Sequence, residues 1–208
     1  MTDMKLSQPK AARTINSARV FGCLRTHENL SKAEIARILD LNKVSTGEIV
    51  DDLIRQGLVE ETGKMESANG RRPTCLSIVA DAKYVLSVDI GSRNTTVALC
   101  NLLSQPVHFE RIPTNREAAS VEEFCVEIIK SCMRVIKPVD REKIIGAGIA
   151  VGGRISADGK TIVSCPYLSW KGIPIASKAP FTTFGLMAYV RQNSSIFSMA
   201  SFFSSHQS

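Results

Sequence analysis

The stretch from residue 31 to residue 72 most constrains what this chain can fold into. Ser31 and Glu34 form an S-x-x-E capping box, which is the signature of a helix start. Apolar residues then recur at helical spacing up to a short polar break, and Asn42 is a good N-cap for a second helix. Gly57 stands where a glycine commonly ends such a helix. The stretch therefore predicts two helices joined by a tight turn.

A preceding helix and a two-stranded wing complete the predicted unit. The predicted helices cover residues 15–26, 32–39 and 43–56. The apolar spacing assigns these residues to the core: Ile15, Val20, Cys23, Leu24, Ile35, Ala36, Leu39, Val44, Ile49, Val50, Leu53 and Ile54. Residues 58–61 and 74–78 are predicted strands, with a polar tip from Gly63 to Pro73. This winged helix-turn-helix pattern is typical of proteins that place a helix in the DNA major groove.

The residue types in this unit suggest how it would hold DNA. The first turn of the third helix is polar, and the free N–H groups and dipole of a helix N-terminus favour a phosphate or a base edge. Basic side chains on the wing are suited to phosphates or to a minor groove. The candidate DNA-binding residues are Asn42, Lys43, Ser45, Thr46, Gly47, Lys64, Arg71 and Arg72. Glu48 would repel phosphates unless it accepts a hydrogen bond from cytosine N4. A winged helix that binds only protein partners remains an alternative.

Composition and charge set broader limits. The net charge of +6 is spread thinly along the chain, so charge alone favours DNA only weakly. The sequence shows no apolar run of membrane-spanning length and no signal-peptide core, so we expect a cytoplasmic protein without a membrane partner. The six cysteines form no C-x-C or C-x-x-C pair, so no zinc site is expected and reduced, buried thiols are predicted.

The pattern changes after Asp81. Strands are predicted over residues 84–90, 95–103, 107–112 and 144–151, with an amphipathic helix from the cap Ser120 to about residue 137. This order predicts α/β layering. Between the first two strands, Asp89, Gly91 and Ser92 form a turn of a shape that handles phosphates, because a carboxylate can hold hydrated Mg²⁺ and a glycine admits a phosphate to the backbone. A plain hairpin turn is the alternative.

Over residues 14–178 the chain resembles the ROK family of repressors, open reading frames and sugar kinases. The resemblance is carried by LSKAEIARILDLNKVSTGEIVDDLIRQGLVEE with GRRP, by VLSVDIGSRNTTVAL, and by GAGIAVGGRISADGKTIVSCPYLSWKGIPI. It implies an α+β chain: a winged helix-turn-helix over 1–80, followed by the first lobe of a partial actin-like (RNase H-like) α/β domain over 81–178. It also implies a transcriptional repressor of carbohydrate-utilisation genes, with double-stranded operator DNA as the partner, a sugar as inducer, and a homodimer.

Departures from the family pattern separate the repressor from the kinase branch. Family kinases carry D-I-G-G-T-K where this chain has D-I-G-S-R-N, so we expect neither ATP binding, nor a cofactor, nor enzyme activity. The resemblance implies sugar contacts at Gly152, Gly153 and Tyr167. Tyr167 stands where the family's S-P-N-L-G-W motif has a sugar-binding asparagine, so DNA binding is expected to persist better than a sugar response. A sugar kinase remains the enzymatic alternative.

Residues 179–208 differ in composition from the rest of the chain. They hold five of the eight phenylalanines and a single charged residue, Arg191. The resemblance is taken to end near Lys178, before the family's E-N-D motif and its zinc cluster. The hypothesis is a truncated chain whose reading frame shifts near Ala179, and a natural apolar C-terminal segment is the alternative. A truncated chain could also be a remnant without function.

Overall fold

The computed structural model describes residues 8–64, 74–175 and 188–192, and the chain divides into two compact units at Ala82 and Lys83. The elements of the first unit are the helices α1 (Gln8–Thr26), α2 (Lys32–Leu39) and α3 (Lys43–Arg55) and the strands β1 (Val59–Lys64) and β2 (Thr74–Ile78). β1 and β2 pair antiparallel. Three helices followed by a two-stranded sheet give the winged helix-turn-helix that the sequence predicts.

The start and end of the short helices follow from local chemistry. The Ser31 hydroxyl accepts from the Glu34 amide at 3.3 Å, while the Glu34 carboxylate accepts from the Ser31 amide at 2.8 Å, which completes the capping box. The backbone turns after α3 at Gly57, whose φ is +69°, a region that favours glycine. The helices then bury their apolar faces around Val20, Ile35 and Val50, each fully buried.

Two residues assigned to this core lie elsewhere. α1 begins at Gln8 rather than Ile15, and the Ile15 side chain is 61% exposed. Val44 is 70% exposed because it occupies the first turn of α3, where no element of the described residues packs on the outer side of the helix. Helical spacing identifies one face of a helix, but it does not show where along the helix that face stops being covered.

The second unit is a five-stranded sheet with a helix packed on it. Its elements are β3 (Tyr84–Ile90), β4 (Asn94–Asn101), β5 (Pro106–Pro113), α4 (Val121–Ile136), β6 (Ile144–Val151), β7 (Arg154–Ile155), β8 (Ile162–Cys165), β9 (Trp170–Ile173) and β10 (Ala188–Gln192). The sheet order is β10-β6-β3-β4-β5, and β7, β8 and β9 form a small second sheet. β3, β4 and β5 are antiparallel neighbours, whereas β6 runs parallel to β3 and β10 parallel to β6. This is the actin-like (RNase H-like) arrangement.

The core of this unit lies between the sheet and α4. Leu86, Val88, Val97 and Leu99 alternate toward the helix, and α4 supplies Phe124 among its buried residues. Ser120 caps α4 by accepting from the Glu123 amide at 3.1 Å, as the sequence predicts. The Phe124 ring also meets the Trp170 ring edge-on at 4.8 Å, which joins β9 to this core.

The strand β10 lies inside the segment interpreted as a foreign tail. Its five residues pair in register with β6, from Ala188 opposite Ala147 to Gln192 opposite Val151. The pairing places β10 at one edge of the sheet. The reading-frame shift near Ala179 stays a hypothesis.

All six cysteines are buried and free, as predicted. Burial raises the pKa of the Cys100 thiol to about 11 and that of Cys132 to about 12, so both stay protonated at neutral pH. In the described part of the chain, no three histidine, cysteine or acidic residues lie close enough together to hold a metal ion. Across the same residues, no helix combines the length and apolarity that a membrane crossing requires.

Candidate DNA interface and cleft residues

The turn between α2 and α3 is closed by backbone hydrogen bonds. Asp40 adopts a left-handed conformation with φ of 51°, and the Leu41 amide donates to the Ala36 carbonyl at 2.9 Å. These contacts satisfy the end of α2 and turn the chain directly into α3. The two helices are thereby held in a fixed relation, which a DNA-reading helix requires.

Asn42 acts as the N-cap of α3. Its side-chain oxygen accepts from the Val44 amide at 2.8 Å and from the Ser45 amide at 3.3 Å, and its carbonyl accepts from the Thr46 amide at 2.9 Å. Asn42 therefore fixes where the helix starts. The sequence interpretation treated the N–H groups of this turn as free for a phosphate. The structure corrects this for Val44 and Ser45, whose N–H groups are already paired with the Asn42 side chain.

Thr46 is a second correction to the predicted interface. Its side chain is fully buried, and its hydroxyl donates to the Asn42 carbonyl at 3.0 Å. A threonine in a helix can satisfy its hydroxyl on the preceding turn, which makes it acceptable in a core. Thr46 thus stabilises the start of α3 from the inside and is not available to contact DNA.

The outward face of the first turns of α3 carries four exposed side chains: Lys43, Val44, Ser45 and Glu48. Gly47 is half-buried beside them, and a Cβ built there would meet no atom within 4 Å. The absence of a side chain is therefore not needed for packing within the protein. It leaves room for another molecule to approach the α3 backbone closely.

The charge of Glu48 is compensated by α1. Arg13 donates to Glu48 at 3.4 Å and also to Asp52 one turn further along α3. The hydrogen bond from Arg13, with a second from Arg55, lowers the pKa of the Asp52 carboxyl. One guanidinium therefore serves two carboxylates, which reduces the repulsion that Glu48 would exert on a phosphate.

The structure describes only part of the predicted wing contacts. The backbone of Lys64 ends β1, whereas Arg71 and Arg72 lie outside the described residues. Their role in DNA binding stays a prediction.

In the second unit, Gly91 begins a tight hairpin between β3 and β4. Its amide donates to the Asn94 carbonyl at 3.0 Å, and a Cβ would lie 2.8 Å from that same oxygen. The Thr114 hydroxyl donates to the Gly91 carbonyl at 2.8 Å, and its amide donates to the Arg93 carbonyl at 2.9 Å. The hairpin itself therefore requires a glycine at position 91, which supports the plain-hairpin alternative. Ser92 is exposed at the tip.

Asp89 precedes this hairpin on β3. It is partly buried between its sheet neighbours Thr96 and Ala150, and burial raises the pKa of its carboxyl.

Tyr167 joins the ends of two neighbouring strands. Its hydroxyl donates to the Ile90 carbonyl at 2.6 Å, at the end of β3, and accepts from the Gly152 amide at 3.0 Å, just after β6. Burial raises the pKa of this hydroxyl above its ordinary value, so it remains protonated as the donor role requires. The polar atom of Tyr167 is thus engaged within the protein.

Each of the two glycines predicted to contact a sugar is packed closely against its neighbours. A Cβ at Gly152 would lie 3.1 Å from the Tyr167 ring, and one at Gly153 would lie 2.4 Å from the Ser164 carbonyl oxygen. The structure therefore brings Gly152 and Tyr167 into direct contact, whereas Gly153 packs against Ser164 and Cys165.

Three residues important at these places were missed by the sequence reasoning. Val44 was assigned to the core, and Arg13 and Thr114 carried no motif. The partners of Arg13 lie 35 and 39 residues away, and the partner of Thr114 lies 23 residues away. Only the folded chain shows such contacts.

Comparison with known proteins identifies both units. Residues 85–200 match the model of the ROK family, and residues 14–82 match that of a winged helix DNA-binding domain. The ROK match runs well past Lys178, so the prediction that the resemblance ends there is wrong. The hypothesis of a reading-frame shift near Ala179 now rests on composition alone.

Named relatives and a solved structure agree with these matches. The chain is 27% identical over 167 residues to the xylose repressor of Caldicellulosiruptor bescii, covering 79% of this chain and 42% of that protein. It is 25% identical over 179 residues to the Bacillus subtilis xylose repressor, covering 84% and 45%. The chain thus spans about half the length of the curated relatives it matches.

The structural comparison extends over both units. The crystal structure of a ROK family transcriptional regulator, a homolog of the E. coli MLC protein, superimposes with a TM-score of 0.68 at 17% identity. The match covers 87% of this chain and 46% of that one, and it supports the fold. With a winged helix ahead of an actin-like sheet, and with more than half of its residues matched by the family model, the chain belongs to the ROK family.

Proposed function

We propose that this chain is a DNA-binding transcriptional regulator of carbohydrate-utilisation genes that works in the cytoplasm. The observation that carries the proposal is the exposed first turn of α3, with Lys43, Val44 and Ser45 on a helix whose start is fixed by Asn42. The winged helix match and the xylose repressors among the relatives support it. Lys64, Arg71 and Arg72 would add phosphate or minor-groove contacts from the wing. Double-stranded operator DNA is the proposed partner.

Fluorescence anisotropy with the full chain tests this function. The probe is the intergenic DNA upstream of the gene, compared with a scrambled duplex at several salt concentrations. Removing one phosphate contact should reduce the slope of log K against log salt by about 1. We expect this for Lys43→Ala, whereas Lys171→Ala, an exposed lysine on β9 of the other unit, should leave the slope unchanged. Equal binding to both duplexes would contradict the proposal and favour a protein-binding module or a remnant.

A sugar response is expected to be weak in this chain, because Tyr167 fills the place where the resemblance locates the sugar contacts. Its hydroxyl already holds the Ile90 carbonyl and the Gly152 amide. A sugar needs paired polar contacts to offset the loss of its hydration. Calorimetric titration of xylose, glucose and N-acetylglucosamine should show no saturable binding. Saturable binding coupled to release from DNA would overturn this part of the proposal.

The kinase alternative is disfavoured by the phosphate motif. Ser92, Arg93 and Asn94 replace the second glycine, the threonine and the lysine of the family's D-I-G-G-T-K. The larger side chain of Arg93 and the loss of the lysine cation both oppose the binding of ATP. Sugar-dependent ATP hydrolysis by the purified chain would restore the alternative.

A homodimer is the expected assembly of a chain that reads DNA in this way. Dimeric helix-turn-helix proteins bind two half-sites related by the symmetry of the dimer. Light scattering of the free chain and footprinting of its complex would test this expectation. A monomer that protects a single half-site would contradict it.

A further inference from the structure

Val44 is the most exposed large apolar side chain of the described residues, at 70% exposure. An exposed apolar residue is common on protein surfaces and needs no explanation by itself. This one, however, stands in the first turn of the helix that the fold presents to DNA. Its neighbours in that turn, Lys43 and Ser45, are also exposed.

The direction of the Val44 side chain is set by the helix. Its amide is held by the Asn42 side chain at 2.8 Å, and the buried residues Thr46, Ile49 and Val50 define the opposite face of α3. Glu48, one turn further along, shares the outward face with Val44 because residues four apart lie on one side of a helix. A valine in a helix also has one strongly preferred rotamer. Its two methyl groups are therefore presented in a fixed direction.

The chemistry of the major groove offers one partner for such a side chain. Base edges there display hydrogen-bond donors and acceptors, and the apolar group among them is the C5-methyl of thymine. Valine has no polar atom to pair with the other edge groups. We propose that Val44 contacts the C5-methyl group of a thymine and makes the chain selective for a T·A pair at that position. This inference rests on the proposed DNA-binding function.

The surroundings of Val44 fit this contact. Gly47 leaves open space on the adjoining side of α3, so a base edge can approach the helix without meeting a bulkier side chain. The carboxylate of Glu48 is paired with Arg13, which lowers the charge that would otherwise oppose a nearby phosphate. Val44 can then contact a base without strong repulsion between the Glu48 carboxylate and the DNA phosphates.

The test replaces thymines by deoxyuridine, which lacks only the methyl group. A duplex that the full chain binds specifically is first obtained by selection from random DNA. Each thymine in the protected region is then changed singly to deoxyuridine, and binding of the wild type, Val44→Ala and Ile15→Ala is measured. Ile15 is the matched control, since it is a 61% exposed apolar residue of α1 in the same unit.

We expect one thymine per half-site at which the change to deoxyuridine weakens wild-type binding by about fourfold, the effect of burying one methyl group. Val44→Ala should weaken binding to the thymine duplex by a similar or larger factor and be insensitive to deoxyuridine at that position. Ile15→Ala should respond as the wild type does. Unchanged melting temperatures would show that both variants are folded.

Two results would overturn the inference, and they are distinguishable. If deoxyuridine has the same effect on the wild type and on Val44→Ala at every position, Val44 reads no methyl group, although the DNA-binding function stands. If selection yields no specific duplex at all, the proposed function fails and this inference fails with it.

Discussion

The hydroxyl of Tyr167 donates a 2.6 Å hydrogen bond to the carbonyl of Ile90, a residue 77 positions earlier in the chain. The same oxygen accepts from the Gly152 amide. The contact joins the carboxyl ends of the parallel strands β3 and β6, the end of the sheet where α/β proteins usually bind ligands. A side chain that the family resemblance assigns to sugar recognition therefore serves here as an internal brace.

Replacing Tyr167 by phenylalanine should destabilise the second unit. The ring is kept, but the Ile90 carbonyl and the Gly152 amide lose a partner, which costs about 1–3 kcal/mol for groups that stay partly buried. Tyr167→Asn should cost more, since it also removes the ring that packs on Gly152. Urea denaturation of the full chain measures both. A Tyr167→Phe midpoint equal to that of the wild type would show that the brace is unimportant.

Removing the cap of α2 should weaken the winged helix. Ser31→Ala deletes the hydroxyl that accepts from the Glu34 amide and donates to its carboxylate at 2.7 Å. We expect a loss of about 1 kcal/mol in the free energy of unfolding of this unit. Ser45→Ala is the matched control, because Ser45 is exposed and should change stability by less than about 0.5 kcal/mol. Equal effects of the two changes on thermal unfolding would contradict the assigned cap.

Asp89→Asn should raise stability at neutral pH. Burial raises the pKa of Asp89 in the folded chain, so ionisation opposes folding above that pKa. As pH falls through the folded pKa the native state takes up a proton first, and the penalty is gone below the unfolded pKa. The melting temperature of Asp89→Asn should therefore exceed that of the wild type at pH 7, and the difference should shrink toward pH 3. A difference that grows in acid would mean that the carboxylate is stabilised.

The Arg13 contact makes a prediction about DNA affinity. Arg13→Gln removes the only arginine that pairs with Glu48 among the described residues, while Asp52 keeps Arg55, and should weaken DNA binding several-fold at low salt. Glu48→Gln should strengthen binding, and the double variant should lie close to Glu48→Gln alone. Stability should change little, because exposed ion pairs contribute about 0–1 kcal/mol. Additive effects of the two changes on the dissociation constant would show that the charges act independently.

Local signals in the sequence located most of the elements. The capping box at Ser31, the cap at Asn42 and the glycine after α3 fixed the helix-turn-helix within a residue or two. The strands Tyr84–Ile90 and Ile144–Val151 were predicted with the bounds they have, because a buried strand is a continuous apolar run between polar turns. Such patterns depend on neighbours in sequence, so they can be recognised without the fold.

What failed depended on partners far away in the chain. Val44 and Thr46 both lie near the start of α3. Apolar spacing assigned the exposed Val44 to the core, and the polar character of the first turn assigned the buried Thr46 to DNA. The strand β10 was not predicted, because its partner strand, β6, lies about 40 residues earlier. The side chain of Tyr167 could be compared with a family motif, but its hydrogen bonds could not be foreseen.

The sequence by itself determined the two units, their order and the family, since capping residues, apolar periodicity and motifs are local features of the chain. The tertiary structure decided which side chains of α3 face outward and how the end of the sheet is braced. Exposure and hydrogen bonding depend on which surfaces pack together, as at Val44, with its outer side uncovered, and at Tyr167, whose hydroxyl spans two strand ends.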